Sequence, residues 1–250
     1  MSDNLLEKLK LKPAREEFSQ KLVPDELMEK LLDAANHAPS GFNMQPWHFL
    51  LLKDPNLKKL CFHIALEQRP VLEAPVTVIF IADPTAWKGP YSEVLRLGVE
   101  SGALSKAEAS GFRKSMNLFF DSGLWGMKGL LRRITMPYER MSKPTARYHC
   151  SRAETEAWVN SQTMFAAGSF YVSARAAGLT TSVVMNFDEK RLKKLLGIPK
   201  EMTIPILIST GYLLDEETPK VKEVRFPIDD KVSRDLFGNT RRMVKSRTGS

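Results

Sequence analysis

The chain has 250 residues, 43% of them hydrophobic, which is enough to bury one large α/β core or two small ones. Its longest apolar runs are the size of strands, so the sequence does not predict a transmembrane helix. The first twelve residues contain acidic side chains and lack the apolar core of a signal peptide, and we therefore expect a cytoplasmic protein.

The formal net charge of +8 is concentrated in two segments. Residues 113–147 contain eight Lys or Arg residues against two acidic ones, and residues 234–250 contain five against one. Such segments suit an acidic ligand or an anionic surface. No nucleic-acid-binding motif accompanies them, and the tryptophans are not interleaved with the basic runs. We therefore expect neither nucleic acid nor a membrane as a partner.

The cysteines and histidines do not form a metal-binding pattern. Cys61 and Cys150 are far apart, and neither has a second Cys or a His at metal-ligand spacing. We predict two reduced structural thiols, no disulfide and no bound metal.

Hydrophobic periodicity predicts the regular elements along the chain. It favours helices over residues 3–11, 25–37, 56–66, 153–178 and 189–196, and strands over residues 49–53, 76–82 and 205–211. Between residues 88 and 150 it predicts shorter helical pieces at 91–98, 105–120 and 124–134. Gly178 and Gly197 are expected to end two of the helices, and Asp188 to cap the start of another.

One connection has an unusual composition. Residues 38–49 read Ala-Pro-Ser-Gly-Phe-Asn-Met-Gln-Pro-Trp-His-Phe. Its small and polar residues allow close backbone approach and offer hydroxyl and amide groups, while Pro39 and Pro46 stiffen both ends. This predicts a loop that binds a ligand; turn chemistry followed by the start of a strand is the alternative.

This loop closely resembles the flavin loop of the nitroreductase family, which consists of dimeric FMN enzymes reduced by NAD(P)H. The resemblance recurs, in order, at Gln68 with Glu73-Ala74-Pro75, at the helix Ala157–Gly178, at the run 180–199, and at Gly211-Tyr212 followed by Lys220, Lys222 and Arg225. It covers nearly the whole chain except residues 88–150. It implies an α+β fold, with helices around a central and mostly antiparallel sheet, and an intertwined homodimer with active sites at the subunit interface.

The resemblance also implies a domain organisation. We predict a single FMN domain over residues 1–237, with a variable helical lid insertion at 88–150. A disordered basic tail is expected over residues 238–250.

The flavin contacts implied by the resemblance fall into three groups. Loop residues Pro39, Ser40, Gly41 and Asn43 match the family's contact positions, and Gln45 and Trp47 are expected to hold the loop in place. Backbone groups of Met185 and Asn186 stand where the family approaches flavin N5 and O4. Gln68 matches a glutamine near the pyrimidine ring, although a solvated loop glutamine is the alternative.

The phosphate of FMN requires basic residues. In the family a basic cluster near the start of the chain grips it; here Lys12 keeps the first position and Arg15 is the nearest substitute, one position out of register. Lys222 and Arg225 are the predicted partners from the other end of the chain, with Lys220 as a third choice.

Residues 88–150 correspond to the helices that cover the substrate side of the flavin in the family. Phe119, Phe120 and Trp125 are the predicted lid residues. Simple domain packing and a membrane-surface helix are the alternatives for this amphipathic basic segment.

The predicted function is that of an FMN-dependent oxidoreductase. NADH or NADPH would pass hydride to flavin N5 and leave, and a nitroaromatic, a quinone or a similar small acceptor would then take its place in a ping-pong cycle. The flavin performs the chemistry, so no catalytic side chain is expected. The alternatives are reductive dehalogenation, flavin breakdown, and a non-catalytic flavin-binding protein with an acidic partner.

Overall fold

The computed structural model describes residues 9–121, 123, 127–131, 134–135, 144, 149, 151–215 and 217–238. The chain forms two compact units, of which the larger comprises Arg15–Glu217. The smaller comprises the two ends of the chain, Met1–Ala14 and Thr218–Ser250.

The strands and α-helices of the described residues that carry the fold are as follows. The strands are β1 (Leu11–Pro13), β2 (Trp47–Leu52), β3 (Val76–Ala82), β4 (Thr180–Val184), β5 (Thr203–Gly211) and β6 (Lys220–Lys222). The helices are α1 (Asp25–Asn36), α2 (Pro55–Ile64), α3 (Arg69–Glu73), α4 (Gly89–Glu100), α5 (Lys106–Phe120), α6 (Arg152–Ala176) and α7 (Glu189–Leu196).

The larger unit is built on a four-stranded antiparallel sheet in the order β2-β3-β5-β4. Every residue of β3 is buried, as its continuous apolar sequence predicts for a central strand. Its side chains alternate between two cores. Val76, Val78 and Phe80 pack with α1 and α6, whereas Ile79 and Ile81 pack with α2 and α7. The predicted α+β fold, an antiparallel sheet with helices on its faces, is confirmed.

The predicted strand over residues 76–82 and the predicted helix over residues 189–196 are confirmed without change, and the other predicted elements differ mainly at their ends. β2 begins two residues earlier than expected because Trp47 pairs with Ala82. α2 ends at Ile64, since Leu66 and Glu67 have left-handed backbones that cannot continue a helix. Gly178 and Gly197 have positive φ, and the Asp188 carboxylate accepts from Arg191 N at the start of α7, as predicted.

The smaller unit contains an antiparallel ribbon of β1 and β6. The helix predicted over residues 3–11 is wrong at its end, because Leu11 pairs with Lys222 in this ribbon; residues 9 and 10 are helical and residues 3–8 lie outside the described residues. Residues 124–126 and 132–133 of the piece predicted at 124–134 also lie outside them, whereas residues 127–131 and 134 are helical. The proposed tail falls outside as well, apart from Gly238.

Within the described ranges, no helix has the length and apolar character needed to cross a membrane. Cys61 is a buried free thiol on α2, and burial raises its pKa to about 11. Cys150 lies outside the described residues.

Candidate active site

The loop between α1 and β2 is held by its own side chains in a strained backbone. Phe42, Asn43 and Gln45 have φ values of 59°, 54° and 50°, a region that non-glycine residues rarely occupy. Ser40 Oγ accepts from Gln45 N at 3.0 Å, and Gln45 Nε2 donates to Asn43 Oδ1 at 3.1 Å. These bonds compensate for the strain and fix one loop shape.

The same loop is anchored to α6. Gly41 N donates to Gln162 Oε1 at 2.7 Å, and a Cβ at position 41 would lie 2.7 Å from the Trp158 ring. Only glycine allows this approach without displacing the indole. At the end of the loop, buried Trp47 donates from Nε1 to Asn36 Oδ1 at 3.1 Å. The observed bonds of Gln45 and Trp47 fit the expectation that they hold the loop in place.

Anchoring leaves part of the loop facing outward. Pro39, Phe42 and Asn43 are exposed, and Ser40 and Gly41 are partly exposed. The Phe42 ring lies 5.6 Å from that of Phe119 and 6.5 Å from that of Phe112 on α5. The sequence did not identify Phe42 or Gln162 as contributors, because both act through contacts with residues distant along the chain.

A second part of the candidate site joins two segments that were predicted separately. Gln68 Nε2 donates to the Asn186 carbonyl at 2.6 Å and to the Ala65 carbonyl at 3.0 Å. Asp188 N donates to the Ile64 carbonyl at 3.0 Å. The turn before Gln68 contains two successive left-handed residues, Leu66 and Glu67. The structure thus brings Gln68 and Asn186 together, and it leaves Met185 and Asn186 exposed.

The predicted phosphate-binding residues divide between the two units. In the smaller unit, Lys12 Nζ lies 2.6 Å from Glu223 Oε1, and the Arg225 guanidinium contacts Glu223 Oε2. Lys222 pairs with Leu11 and Lys12 with Val221, so Lys222 and Lys12 lie on opposite faces of the ribbon. Arg15 belongs to the larger unit, where it is exposed.

The predicted lid residues differ in their surroundings. Phe120 is only 4% exposed and stacks between Trp87, at 6.1 Å, and His149, at 4.9 Å. It therefore belongs to a buried cluster, and its role in a lid stays a prediction. Phe119 is partly exposed and contacts Phe42. Trp125 lies outside the described residues.

A buried carboxylate lies where the loop enters the sheet. Asp83 follows β3, is 5% exposed, and its N–H donates to the Pro46 carbonyl at 3.0 Å. Its Oδ1 accepts from Thr85 N and Oγ1, both at 2.7 Å, and Oδ2 lies 3.9 Å from His48 Nε2. Burial alone would raise the pKa of Asp83, yet His48 and the two Thr85 bonds hold it below its usual value. No group of three or more potential metal ligands occurs among the described residues.

Helix α6 carries an exposed apolar face beside the edge strand β4. Phe165 is 54% exposed, and Met164, Val172 and Val183 are also accessible. They line open depressions of about 300 and 570 Å³ around Gly168. Such a face is unusual for the long central helix of an isolated domain.

Comparison with known proteins supplies the wider context. An NADH dehydrogenase from Thermus thermophilus is 26% identical over 197 residues, which cover 79% of this chain and 80% of the relative. A nitroreductase-like protein from Streptococcus mutans has a TM-score of 0.71 at 17% identity, covering 94% of this chain and all of that chain. A structure from Exiguobacterium sibiricum in complex with FMN has a TM-score of 0.67 at 19% identity, covering 93% of this chain and 96% of that chain.

The family assignment follows from a match over most of the chain. The sequence model of the nitroreductase family matches residues 14–212, which include every element of the larger unit. This protein belongs to the nitroreductase family.

Proposed function

We propose that this protein is an FMN-dependent oxidoreductase that uses NADH or NADPH to reduce an electron-poor small molecule such as a nitroaromatic or a quinone. The observation that carries the proposal is the bond between Gln68 and the Asn186 carbonyl. It joins two segments, 118 residues apart, that the family resemblance assigns independently to one flavin ring. The Thermus relative named NADH dehydrogenase and the FMN-bound neighbour support the same cofactors.

The chemistry of the exposed groups fits FMN. An isoalloxazine ring needs hydrogen-bonding partners at its polar edge. The Gln68 amide oxygen and the backbone groups of the exposed residues Met185 and Asn186 would offer them, since the Gln68 amide nitrogen already donates to Ala65 and Asn186. Pro39, Ser40, Gly41 and Asn43 would contribute from the fixed loop. The phosphate would take Lys12 and Arg225, with Arg15 as a further candidate; Lys222, also predicted as a partner, lies on the other face of the ribbon from Lys12. When bound, FMN supplies the hydride-accepting and hydride-donating chemistry.

The protein's own contribution is orientation. The left-handed loop and its side-chain bonds hold Asn43 in one position before any ligand binds, so little conformational entropy is lost on binding. The hydrogen bond from the Gln68 amide likewise holds the Asn186 peptide in one position before any ligand binds. No acid–base pair is required from the chain for hydride transfer.

We further propose a homodimer with active sites at the subunit interface. The exposed apolar face of α6 supports this, because water contact with Phe165 and its neighbours is unfavourable and a second copy would remove it. In this arrangement the loop at Pro39–Asn43 serves the flavin of the partner subunit. A single FMN domain over residues 1–237, a disordered tail over 238–250 and a cytoplasmic location remain predictions.

The insertion is proposed to cover the substrate side of the flavin. Phe119, which contacts loop residue Phe42, is the described residue that fits a lid role. An apolar aromatic surface beside the flavin loop would favour planar aromatic acceptors.

Cofactor analysis and turnover test the function. Recombinant protein should release FMN, and not FAD, on denaturation and chromatography. NADH or NADPH should bleach the bound flavin under anaerobic conditions, and a panel of nitroaromatic, quinone and halogenated aromatic acceptors should restore its colour. Recovery of FAD alone contradicts the cofactor assignment, and flavin that neither nucleotide bleaches favours a non-catalytic binding protein. Turnover confined to halogenated aromatics favours reductive dehalogenation, and consumption of the flavin itself favours flavin breakdown.

A further inference from the structure

In the smaller unit, one carboxylate lies between two cations. Glu223 Oε1 is 2.6 Å from Lys12 Nζ, and Glu223 Oε2 contacts the Arg225 guanidinium. Each oxygen is thus held by a different cation. The hydrogen bond from Lys12 and its charge, and then the charge and hydrogen bond of Arg225, lower the pKa of Glu223, so the carboxylate is ionised at neutral pH.

The ribbon separates this arrangement from the other nearby lysines. The β1–β6 register pairs Lys12 with Val221, and Leu11 and Pro13 with Lys222 and Lys220. Directly paired residues share a face and successive residues alternate, so Lys220 and Lys222 face away from Lys12. Of the candidate phosphate ligands in this unit, only Lys12 and Arg225 converge on one point.

That point already contains an anion. A carboxylate that accepts from two cations through its two oxygens reproduces the way two oxygens of a phosphate monoester accept from Lys and Arg. A phosphate monoester carries about −1.5 to −2 charges near pH 7, so it cannot share these cations with Glu223 without strong repulsion. Exposed ion pairs are weak, and a dianion can replace the single carboxylate.

We propose that Glu223 is an internal competitor that occupies the phosphate-binding position in the free protein and must leave when a phosphorylated flavin binds. Glu223 thereby sets how strongly the site prefers FMN to unphosphorylated riboflavin. The identity of the ligand rests on the function proposed above. The position of the competitor rests on the contacts of Glu223.

Binding of flavins to the apoprotein tests the proposal. Glu223→Gln keeps the size of the side chain and removes its charge, and Glu217→Gln is the matched control outside the cluster. Titrations followed by flavin fluorescence should show about fivefold tighter FMN binding for Glu223→Gln than for wild type, and unchanged riboflavin binding. The Glu217→Gln control should bind both flavins like wild type.

Two further measurements distinguish displacement of Glu223 by the phosphate from a general effect of its negative charge on FMN binding. At 0.5 M salt the Debye length is about 4 Å, so competition between groups in direct contact is reduced less than an effect of charge over longer distances. The gain in FMN affinity should therefore survive at high salt. Lys12→Gln should weaken FMN binding more than Lys222→Gln, because Lys222 lies on the other face of the ribbon.

The outcomes distinguish this inference from the proposed function. Equal FMN affinity of wild type and Glu223→Gln, weaker binding by the variant, or a gain lost at high salt overturns the role of Glu223 alone. Failure of the wild-type apoprotein to bind either flavin overturns both. A selective, salt-resistant gain for FMN supports the inference.

Discussion

Gln68 is the residue at which the two separately predicted flavin segments meet. Replacing it with alanine removes the bond to the Asn186 carbonyl, and a lost bond of this kind corresponds to about 1 kcal/mol. We expect Gln68→Ala to lower the free energy of unfolding by about 1 kcal/mol and, because the Asn186 peptide is no longer held in position, to weaken FMN binding about fivefold to tenfold. Apoprotein titration measures the affinity. Gln20→Ala, at an exposed position, is the control, and equal affinity of all three proteins would contradict a positioning role for Gln68.

Replacing Gly41 with alanine should lower the free energy of unfolding, whereas the same replacement at a control glycine should raise it. A Cβ at position 41 would lie 2.7 Å from Trp158, so Gly41→Ala should lower the free energy of unfolding by about 1–3 kcal/mol. Gly111 lies inside α5 with open space around it, and Gly111→Ala should raise stability by about 0.5–1 kcal/mol. Chemical denaturation of both variants checks this, and a neutral Gly41→Ala would show that the loop is not packed on α6.

At the scale of residues, the sequence of the loop at 38–49 predicted those features that depend on bonds within the loop. Ser40, Asn43 and Gln45 bond within the loop, so their types and spacing carry the information. Gln162 anchors the loop from 121 residues away, and nothing in its surroundings marks that role. Phe120 was assigned to the lid from the family resemblance of residues 88–150, and its burial depends on Trp87 and His149, which the sequence could not place beside it.

At the scale of the elements, the stabilisation that Asp83 provides at the junction between β3 and the loop should depend on pH. The pKa of Asp83 is lower in the folded protein than its ordinary value near 4, so the ionised form stabilises the fold. This contribution is present above the unfolded pKa and is lost as pH falls through the lower folded pKa. Asp83→Asn should therefore cost about 1–2 kcal/mol at pH 7 and less at pH 3, where the unfolded chain already binds a proton at this position.

Denaturation curves at both pH values measure the difference. Asp25→Asn is the control, because Asp25 pairs with Lys53 at the surface and should contribute little at either pH. A cost for Asp83→Asn that is the same at pH 3 and pH 7 would show that the charge of Asp83 is not the source.

Elements were predicted correctly where the sequence of the segment itself reports its structure, and were missed where the structure depends on residues far away in the chain. Helix α1 and strand β3 were found because apolar spacing within each segment reports its buried face. The β1–β6 ribbon was missed, since each strand has three residues and its pairing partner lies some 200 residues away. A three-residue strand has no periodicity to detect.

At the scale of the whole molecule, the exposed apolar face of α6 indicates that a second subunit covers it. Phe165→Asp should convert a dimer into a species of 28.3 kDa, because a buried carboxylate would have no partner in an apolar interface. Light scattering after gel filtration measures the mass. Leu60→Asp on α2 is the matched control, since Leu60 is 51% exposed and lies outside this face. If Phe165→Asp remains dimeric, α6 does not form the interface.

Shared active sites require more than a dimer, and complementation between two inactive variants tests for them. If Asn43 of one subunit and Arg225 of its partner serve the same flavin, a heterodimer of Asn43→Ala and Arg225→Ala subunits has one intact site and one doubly altered site. Differently tagged subunits allow the heterodimer to be purified, and it should recover about half of the wild-type activity per dimer, well above either homodimer. If both residues act on the flavin of their own subunit, no site is intact and the heterodimer is as impaired as its parents. That result would contradict sharing while leaving the dimer itself in place.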